Sequence, residues 1–201
     1  MFSQLHTTFT AALLVPIVED RKKVLDVLIN YIKRKRASHQ KPTLNFICTH
    51  NSRRSQFSQI WAQTAAAYYT VDVFCFSAGV EVTAFNERAV ASLKRSGFKI
   101  EQEGVINPKY SIFYDENSKP IVAFSKLVDH RENPSQHFAA VMTCAHAEKN
   151  CPFIPSAETR IVLRYEDPKA FDNTPDEAQK YDERSLQIAA EMVYVFRNIK
   201  E

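Results

Sequence analysis

The segment Cys48-Thr49-His50-Asn51-Ser52-Arg53-Arg54-Ser55 decides the fold of this 201-residue chain. It follows a short apolar run at residues 44–47, which predicts a buried β-strand, and residues 53–69 carry apolar side chains at helical spacing. A loop between a strand and a helix N-terminus directs backbone N–H groups toward one point, and the helix dipole adds positive potential there. The segment therefore predicts an anion-binding loop.

Four side chains of this loop suit a tetrahedral oxyanion. The field at the helix N-terminus favours a thiolate over a thiol, which makes Cys48 a nucleophile. Arg54 offers a planar fork to two oxygens, and Ser55 is able to donate a hydrogen bond to the sulfur. Asn51 tolerates the left-handed backbone angles of a tight anion nest. The residues expected to bind the oxyanion are Thr49, His50, Asn51, Ser52, Arg53 and Arg54. The alternative is a buried structural cysteine beside a surface pair of arginines.

Composition and charge limit the possible functions. Apolar residues make up 45% of the chain and charged residues 24%, which is ordinary for a globular protein. The net charge of +3 is too small to indicate nucleic-acid binding. No apolar run reaches the roughly 20 residues that span a bilayer. The apolar stretch at residues 9–18 lacks the flanks of a secretory signal, so it predicts a packed arm or short helix of a cytoplasmic protein.

The chain has four cysteines, Cys48, Cys75, Cys144 and Cys151. In a cytoplasmic protein they are expected to be reduced, so any pairing indicates redox or catalytic chemistry. Their spacing does not match a zinc site, and we expect no metal and no cofactor. Cys75 lies inside a predicted strand and is expected to be a core residue.

Strand and helix patterns alternate along the rest of the chain. Strands are predicted at residues 71–77, 138–143 and 161–165, helices at 19–36, 86–96 and from Thr174 onward, and a hairpin at 110–124. This alternation predicts an α/β fold with a mostly parallel sheet covered on both faces, in which ligands bind at the carboxyl ends of the strands. Cys48, Cys144 and Asp167 all lie at or just after such ends.

The loop resembles that of the low-molecular-weight protein tyrosine phosphatase fold, which reads C-x-x-N-x-x-R-S. It is most similar to the thioredoxin-coupled arsenate reductase branch, whose usual form is C-T-G-N-S-C-R-S followed by Q. The matching residues are Cys48, Thr49, Asn51, Ser52, Arg54, Ser55 and Gln56. His50 replaces a glycine and Arg53 replaces a cysteine. That cysteine shields the nucleophile in many phosphatases of the fold, and this protection is absent here.

The resemblance covers about residues 43–200 and implies a three-layer sandwich with a mostly parallel four-stranded sheet. Residues 43–201 would form the catalytic domain, and residues 1–42 an N-terminal helical extension. The hairpin at 110–124 would be an insertion. The fold family also carries a general acid in a late Asp-Pro loop, which here matches Asp167-Pro168. Glu166 beside it is expected to raise the pKa of Asp167 by repulsion between like charges.

Cys144 and Cys151 distinguish the two activities that the resemblance implies. In the reductase branch, a segment ending in N-C-P carries two cysteines at this seven-residue offset. The implied reaction is reduction of arsenate by Cys48, capture of the adduct by Cys144, transfer of the disulfide to Cys151 and recycling by thioredoxin. The alternative is hydrolysis of phosphotyrosine in a protein or of aryl phosphates. A third class, a non-catalytic sensor of oxyanions, also fits the loop. No nucleic-acid or membrane partner is expected.

Overall fold

A computed structural model of the chain describes residues 1–150, 154 and 156–200. Its helices are α1 Ser3–Leu14, α2 Glu19–Ala37, α3 Arg54–Tyr68, α4 Glu87–Ser96, α5 Ala145–Asn150 and α6 Glu177–Lys200. Its strands are β1 Thr43–Cys48, β2 Phe74–Gly79, β3 Lys99–Glu103, β4 Lys109–Phe113, β5 Ile121–Ala123, β6 Phe138–Met142 and β7 Ala157–Val162. A short 3-10 helix, Pro168–Phe171, precedes α6.

The main sheet has the strand order β2-β1-β6-β7, and all of its pairs are parallel. Helices cover it, so the predicted three-layer α/β fold with a parallel four-stranded sheet is confirmed. In the pairing of β1, Cys48 lies opposite Gly79 and Ile47 lies opposite Met142. The carboxyl ends of β1, β2 and β6 therefore meet at one edge, where ligands of such sheets bind.

Two apolar clusters fill the two faces of this sheet. The larger one contains Phe46 and Val141 from the sheet, Trp61 from α3 and Phe196 from α6. A smaller cluster on the opposite face contains Ile47, Phe138 and Met142 together with both Cys48 and Cys144. Burial of these side chains supplies most of the driving force for the fold.

The N-terminal residues form two helices: α2 matches the helix predicted at residues 19–36, and the segment predicted at residues 9–18 as a packed arm or short helix lies partly in α1, which already begins at Ser3. Helix α1 buries Leu5, Phe9 and Ala12, and both α1 and α2 pack against α6. Gly97 ends α4 with φ of 102°, and a Cβ atom there would lie 2.4 Å from the backbone nitrogen of Leu5. Glycine is therefore required where α1 meets α4. The division at residue 42 stays a prediction.

The hairpin is part of a separate antiparallel sheet with the order β3-β4-β5. Strand β3 was not predicted, because its sequence Lys-Ile-Glu-Gln-Glu is almost entirely polar. Strand β7 ends at Val162, three residues before the predicted end, although Leu163 N and Tyr165 N still donate to the carbonyls of Met142 and Thr143. Helix α6 begins at Glu177, two residues after the predicted first helical residue Pro175. The hydroxyl of Thr174, the predicted cap, donates to Phe171 O instead.

Among the described residues, we find no helix with the length and apolar character needed to cross a membrane.

Candidate active site

Cys48 is the last residue of β1 and is only 3% exposed. The chain then turns through residues 49–53 before α3 begins at Arg54. Within this loop only Asn51 has a positive φ, 47°, as expected for a residue that tolerates the left-handed region. His50 does not adopt that conformation, so the loop closes without the glycine of the related loops. The N–H groups of residues 49–53 have no hydrogen-bond acceptor among the described residues, so they are available to bind an anion.

The Asn51 side chain fixes the shape of the loop. Its Oδ1 accepts a hydrogen bond from Lys126 N (3.0 Å), and its Nδ2 donates to Ser55 Oγ (2.8 Å). Ser55 Oγ lies 3.1 Å from Cys48 Sγ. Because Ser55 Oγ already accepts from Asn51, its own hydrogen is free to point at the sulfur. The geometry thus suits Ser55 to stabilise a Cys48 thiolate.

Gly79, at the end of β2, forms the wall behind the loop. A Cβ atom at this position would lie 2.8 Å from Asn51 N and 2.9 Å from the carbonyl carbon of His50. The neighbouring Val80 N and Glu81 N both donate to Thr49 O, at 2.8 and 2.9 Å. Backbone therefore packs directly on backbone, and glycine is required for this close approach.

Asp167 is bound to both arginines of the loop. Its Oδ1 accepts from Arg53 Nε (2.9 Å), and its Oδ2 accepts from Arg54 Nη2 (2.7 Å). Arg54 Nη1 donates to the carbonyl of Tyr165 (3.1 Å), whereas the buried Arg54 Nε has no partner among the described residues. The structure thus brings the predicted general acid and the predicted oxyanion ligand into direct contact.

The pKa of Asp167 moves in the direction opposite to that expected from Glu166. Partial burial on its own would raise this pKa, but the positive charges of Arg54 and then Arg53 outweigh burial and hold it below the ordinary value for an aspartate. Without an oxyanion the carboxyl is therefore ionised at neutral pH.

Cys144 lies two residues beyond β6 and is 1% exposed. Its Sγ is 3.5 Å from Thr49 Oγ1, and it accepts a hydrogen bond from Ala147 N (3.3 Å). Thr49 Oγ1 also lies 3.2 Å from His146 Nδ1. The second predicted thiol is therefore in contact with the residue that follows Cys48. Cys151 lies outside the described residues.

Two other predicted residues have structural roles. Cys75 is buried in β2, as expected for a core residue, and burial raises the pKa of its thiol. The Ser52 hydroxyl donates to Ala84 O (2.7 Å) and so points away from the anion nest. Ser52 is therefore able to bind an oxyanion through its backbone N–H.

Comparison with known proteins identifies the family. The chain is 31% identical to an arsenate reductase of Staphylococcus aureus (strain Newman) over 128 residues, which are 64% of this chain and 79% of that protein. It is 27% identical to an arsenate reductase of Halalkalibacterium halodurans over 137 residues, 68% of this chain and 81% of that protein. The chain belongs to the low-molecular-weight phosphatase fold family, near its arsenate reductase branch. No protein-family model matches it.

Solved structures of this family have the same fold. The low-molecular-weight phosphotyrosine phosphatase of Vibrio cholerae aligns with a TM-score of 0.53 and 11% identity, over 78% of this chain and 95% of that chain. The arsenate reductase of Archaeoglobus fulgidus aligns with a TM-score of 0.50 and 18% identity, over 77% of this chain and 98% of that chain. At these identities the likeness concerns the fold alone.

In this member of the phosphatase fold family, the antiparallel sheet forms one wall of a cleft beside the loop. The cleft has a volume of about 660 Å³ and reaches from His50 and Arg53 to Lys169. This wall consists of Gln102 from β3, Tyr110 from β4, and Val105 and Pro108 from the turn that joins these two strands. Val105 is 89% exposed and therefore offers apolar surface at the rim.

Sequence reasoning about this phosphatase-fold chain missed Tyr165 and Glu191. The Tyr165 carbonyl holds Arg54, and its hydroxyl donates to Glu191 Oε2 (2.7 Å). The sequence did contain an indication that Glu191 is buried, because this residue lies among the inward-facing Ile188, Met192 and Val195 of α6. A charge on the apolar face of a helix indicates a buried partner.

Proposed function

We propose that this protein reduces arsenate to arsenite, with Cys48 as the nucleophile and thioredoxin as the reductant. The observation that carries the proposal is the 3.5 Å contact between Thr49 Oγ1 and Cys144 Sγ. Hydrolysis needs one cysteine at the oxyanion, whereas reduction also needs a second thiol within reach of the adduct on the first. The names of the two relatives support the same reaction.

In the first step the Cys48 thiolate attacks arsenic, and one oxygen leaves as water. Arg54 and the free N–H groups of residues 49–53 hold the remaining oxygens. Asp167 supplies the proton for the leaving oxygen. An oxyanion that takes over Arg54 also brings negative charge beside Asp167, and both changes favour the protonated form of this carboxyl.

The second step moves an electron pair onto arsenic. Cys144 Sγ attacks Cys48 Sγ, the sulfur–arsenic bond breaks, arsenic passes from the pentavalent to the trivalent state, and arsenite leaves. The thiol proton of Cys144 needs an acceptor. The Thr49 hydroxyl contacts both Cys144 Sγ (3.5 Å) and His146 Nδ1 (3.2 Å), so it offers a path for this proton to the imidazole.

The third step restores the nucleophile. Cys151 attacks Cys144, which releases Cys48 as a thiolate and leaves a Cys144–Cys151 disulfide. The two thiols of thioredoxin then reduce that disulfide and become oxidised themselves.

The test is arsenate-dependent oxidation of NADPH in the presence of thioredoxin and thioredoxin reductase. Cys48→Ser, Cys144→Ser and Cys151→Ser should each abolish it, and the core variant Cys75→Ala, which serves as the matched control, should retain it. Mass spectrometry after arsenate addition without reductant should detect the Cys144–Cys151 disulfide. Full arsenate turnover in both Cys144→Ser and Cys151→Ser would refute the relay.

Hydrolysis of phosphomonoesters is the second candidate function. The cleft of about 660 Å³ beside the loop favours this activity. A phosphomonoester carries an organic group that needs space next to the loop, whereas arsenate carries no such group. A phosphatase would hydrolyse p-nitrophenyl phosphate with Cys48 and Asp167 and without either later cysteine. Tight phosphate binding without turnover of either substrate would indicate an oxyanion sensor instead.

A further inference from the structure

Arg21, in the N-terminal helix α2, is linked to the oxyanion loop by a chain of buried and partly buried polar contacts. Its Nε and Nη2 donate to the two carboxylate oxygens of Glu191 in α6, each at 2.8 Å. Glu191 is only 3% exposed, so its charge depends on partners inside the protein. Arg21 supplies the compensating charge in a two-bond geometry.

The next links are made by Tyr165. Its hydroxyl donates to Glu191 Oε2 (2.7 Å), and the centroid of its ring lies 4.8 Å from the guanidinium carbon of Arg21. Its carbonyl accepts from Arg54 Nη1 (3.1 Å). Tyr165 is therefore held at both its side chain and its backbone, and it lies two residues before Asp167.

The contact with Tyr165 decides which edge of the Arg54 guanidinium is available. Nη1 is occupied by the carbonyl, Nε has no partner among the described residues, and Nη2 binds Asp167. Displacement of Asp167 would leave Nε and Nη2 side by side, and this pair of donors matches two oxygens of an oxyanion. A carbonyl that holds Nη1 therefore orients the binding edge before the anion arrives.

We propose that Arg21, Glu191 and Tyr165 are positioning residues, through which the N-terminal helix α2 sets the orientation of Arg54 for oxyanion binding. The proposal deepens the proposed function and rests on one part of it, the binding of an oxyanion by Arg54. It gives the N-terminal extension a role in the chemistry of the oxyanion loop.

The test measures the dissociation constant of inorganic phosphate by ³¹P NMR titration, which needs no turnover. Arg21→Met should weaken phosphate binding about fivefold, which corresponds to about 1 kcal/mol. In an Arg54→Lys background, where no guanidinium remains to be oriented, the same substitution should change binding less than about twofold. An equal loss in both backgrounds, or no loss in either, would overturn the proposal.

Arg95→Met is the matched control. Arg95 also donates two hydrogen bonds of 2.8 Å to a carboxylate of α6, that of Asp182, but this pair is exposed and has no link to Arg54. Phosphate binding should be unchanged in this variant.

A second variant guards against simple unfolding, because Arg21→Met leaves a buried carboxylate without its charge partner. Arg21→Met combined with Glu191→Leu removes both charges and should show the same fivefold loss. Wild-type affinity in this folded double variant would overturn the proposal. The outcome is independent of the reductase assay: loss of arsenate turnover with Cys144→Ser tests the relay, whereas phosphate affinity tests the orientation of Arg54.

Discussion

Asp167 Oδ2 lies 2.7 Å from Arg54 Nη2, so the proposed proton donor is bound to the proposed oxyanion ligand. The carboxylate occupies the part of the guanidinium that an oxyanion would use. An incoming anion therefore has to displace Asp167, and the displaced carboxyl becomes easier to protonate because it loses a cationic partner. Binding and proton donation are coupled through this single contact.

Asp167→Asn should change binding and catalysis in opposite directions. The neutral amide competes less well for Arg54 and does not repel the anion, so phosphate should bind about threefold to tenfold more tightly. Hydrolysis of p-nitrophenyl phosphate should fall about a hundredfold or more, because the general acid is lost. Phosphate titration and steady-state kinetics measure the two effects. Weaker phosphate binding in the variant would contradict the competition.

Arg53→Gln should move the alkaline limb of the pH profile to higher pH. Removing this charge leaves Arg54 as the remaining arginine on Asp167, so the lowered pKa of the carboxyl rises toward its ordinary value. General acid catalysis needs the protonated form of Asp167 and is lost as pH rises through the pKa of this carboxyl. The loss of activity should therefore begin at a higher pH in the variant. The measurement is kcat/KM for p-nitrophenyl phosphate against pH. Arg95→Gln should leave the profile in place, and a shift to lower pH in Arg53→Gln would be inconsistent with this electrostatic account.

Thr49→Val should separate the two candidate reactions. Valine keeps the branched shape of threonine but removes the hydroxyl that contacts Cys144 and His146. Arsenate turnover should fall at least about tenfold because proton transfer from Cys144 is impaired, while p-nitrophenyl phosphate hydrolysis, which does not involve Cys144, should be retained. Thr49→Ser keeps the hydroxyl and serves as the control. Equal losses of both activities in Thr49→Val would mean that the hydroxyl acts only on the loop.

Gly79→Ala should disable the loop while the protein remains folded. The added methyl group would lie within 3 Å of the backbone of His50, Asn51 and Glu81, so the loop has to shift. A displacement of the nest by a few tenths of an ångström should weaken phosphate binding about tenfold or more. Gly104→Ala is the control for backbone strain away from the loop: its φ of 88° strains any side chain, but its methyl group would meet no atom beyond its chain neighbours closer than 3.8 Å. Unchanged phosphate affinity in Gly79→Ala would show that the loop tolerates the shift.

Sequence patterns predicted the parallel sheet and the loop because both depend on local information. The buried strand before Cys48, the helix after it and the left-handed tendency of Asn51 are properties of neighbouring residues. The cap of α4 was equally readable, since Asn86 Oδ1 accepts from Arg88 N and Ala89 N, and Gly97 ends the helix in the left-handed region. Such features follow from residue type and spacing alone.

The contacts that tune the loop were not predictable, since they join residues far apart in the chain. Asp167 follows Arg53 by 114 positions, and Glu191 follows Arg21 by 170. From the sequence, the pKa of Asp167 was predicted from its neighbour Glu166 alone. The predicted rise was wrong, because Arg54 and Arg53 lower this pKa. The limits of β7 were misjudged for a related reason: residues 163–165 keep ladder-like hydrogen bonds and an apolar pattern after the strand has ended.

The two faces of the parallel sheet differ in how much apolar surface covers them. Trp61 and Phe196 belong to the larger apolar cluster, whereas Cys48 and Cys144 belong to the smaller one. Of the described side chains of α5, Ala147 is the one that belongs to the smaller cluster. The free energy of a local opening scales with the contacts that it breaks. Lifting α5 would expose little apolar surface, so its amide protons should exchange through a low-energy opening while β1 stays protected. The protein thereby keeps its second thiol under a cover that can open without loss of the main core.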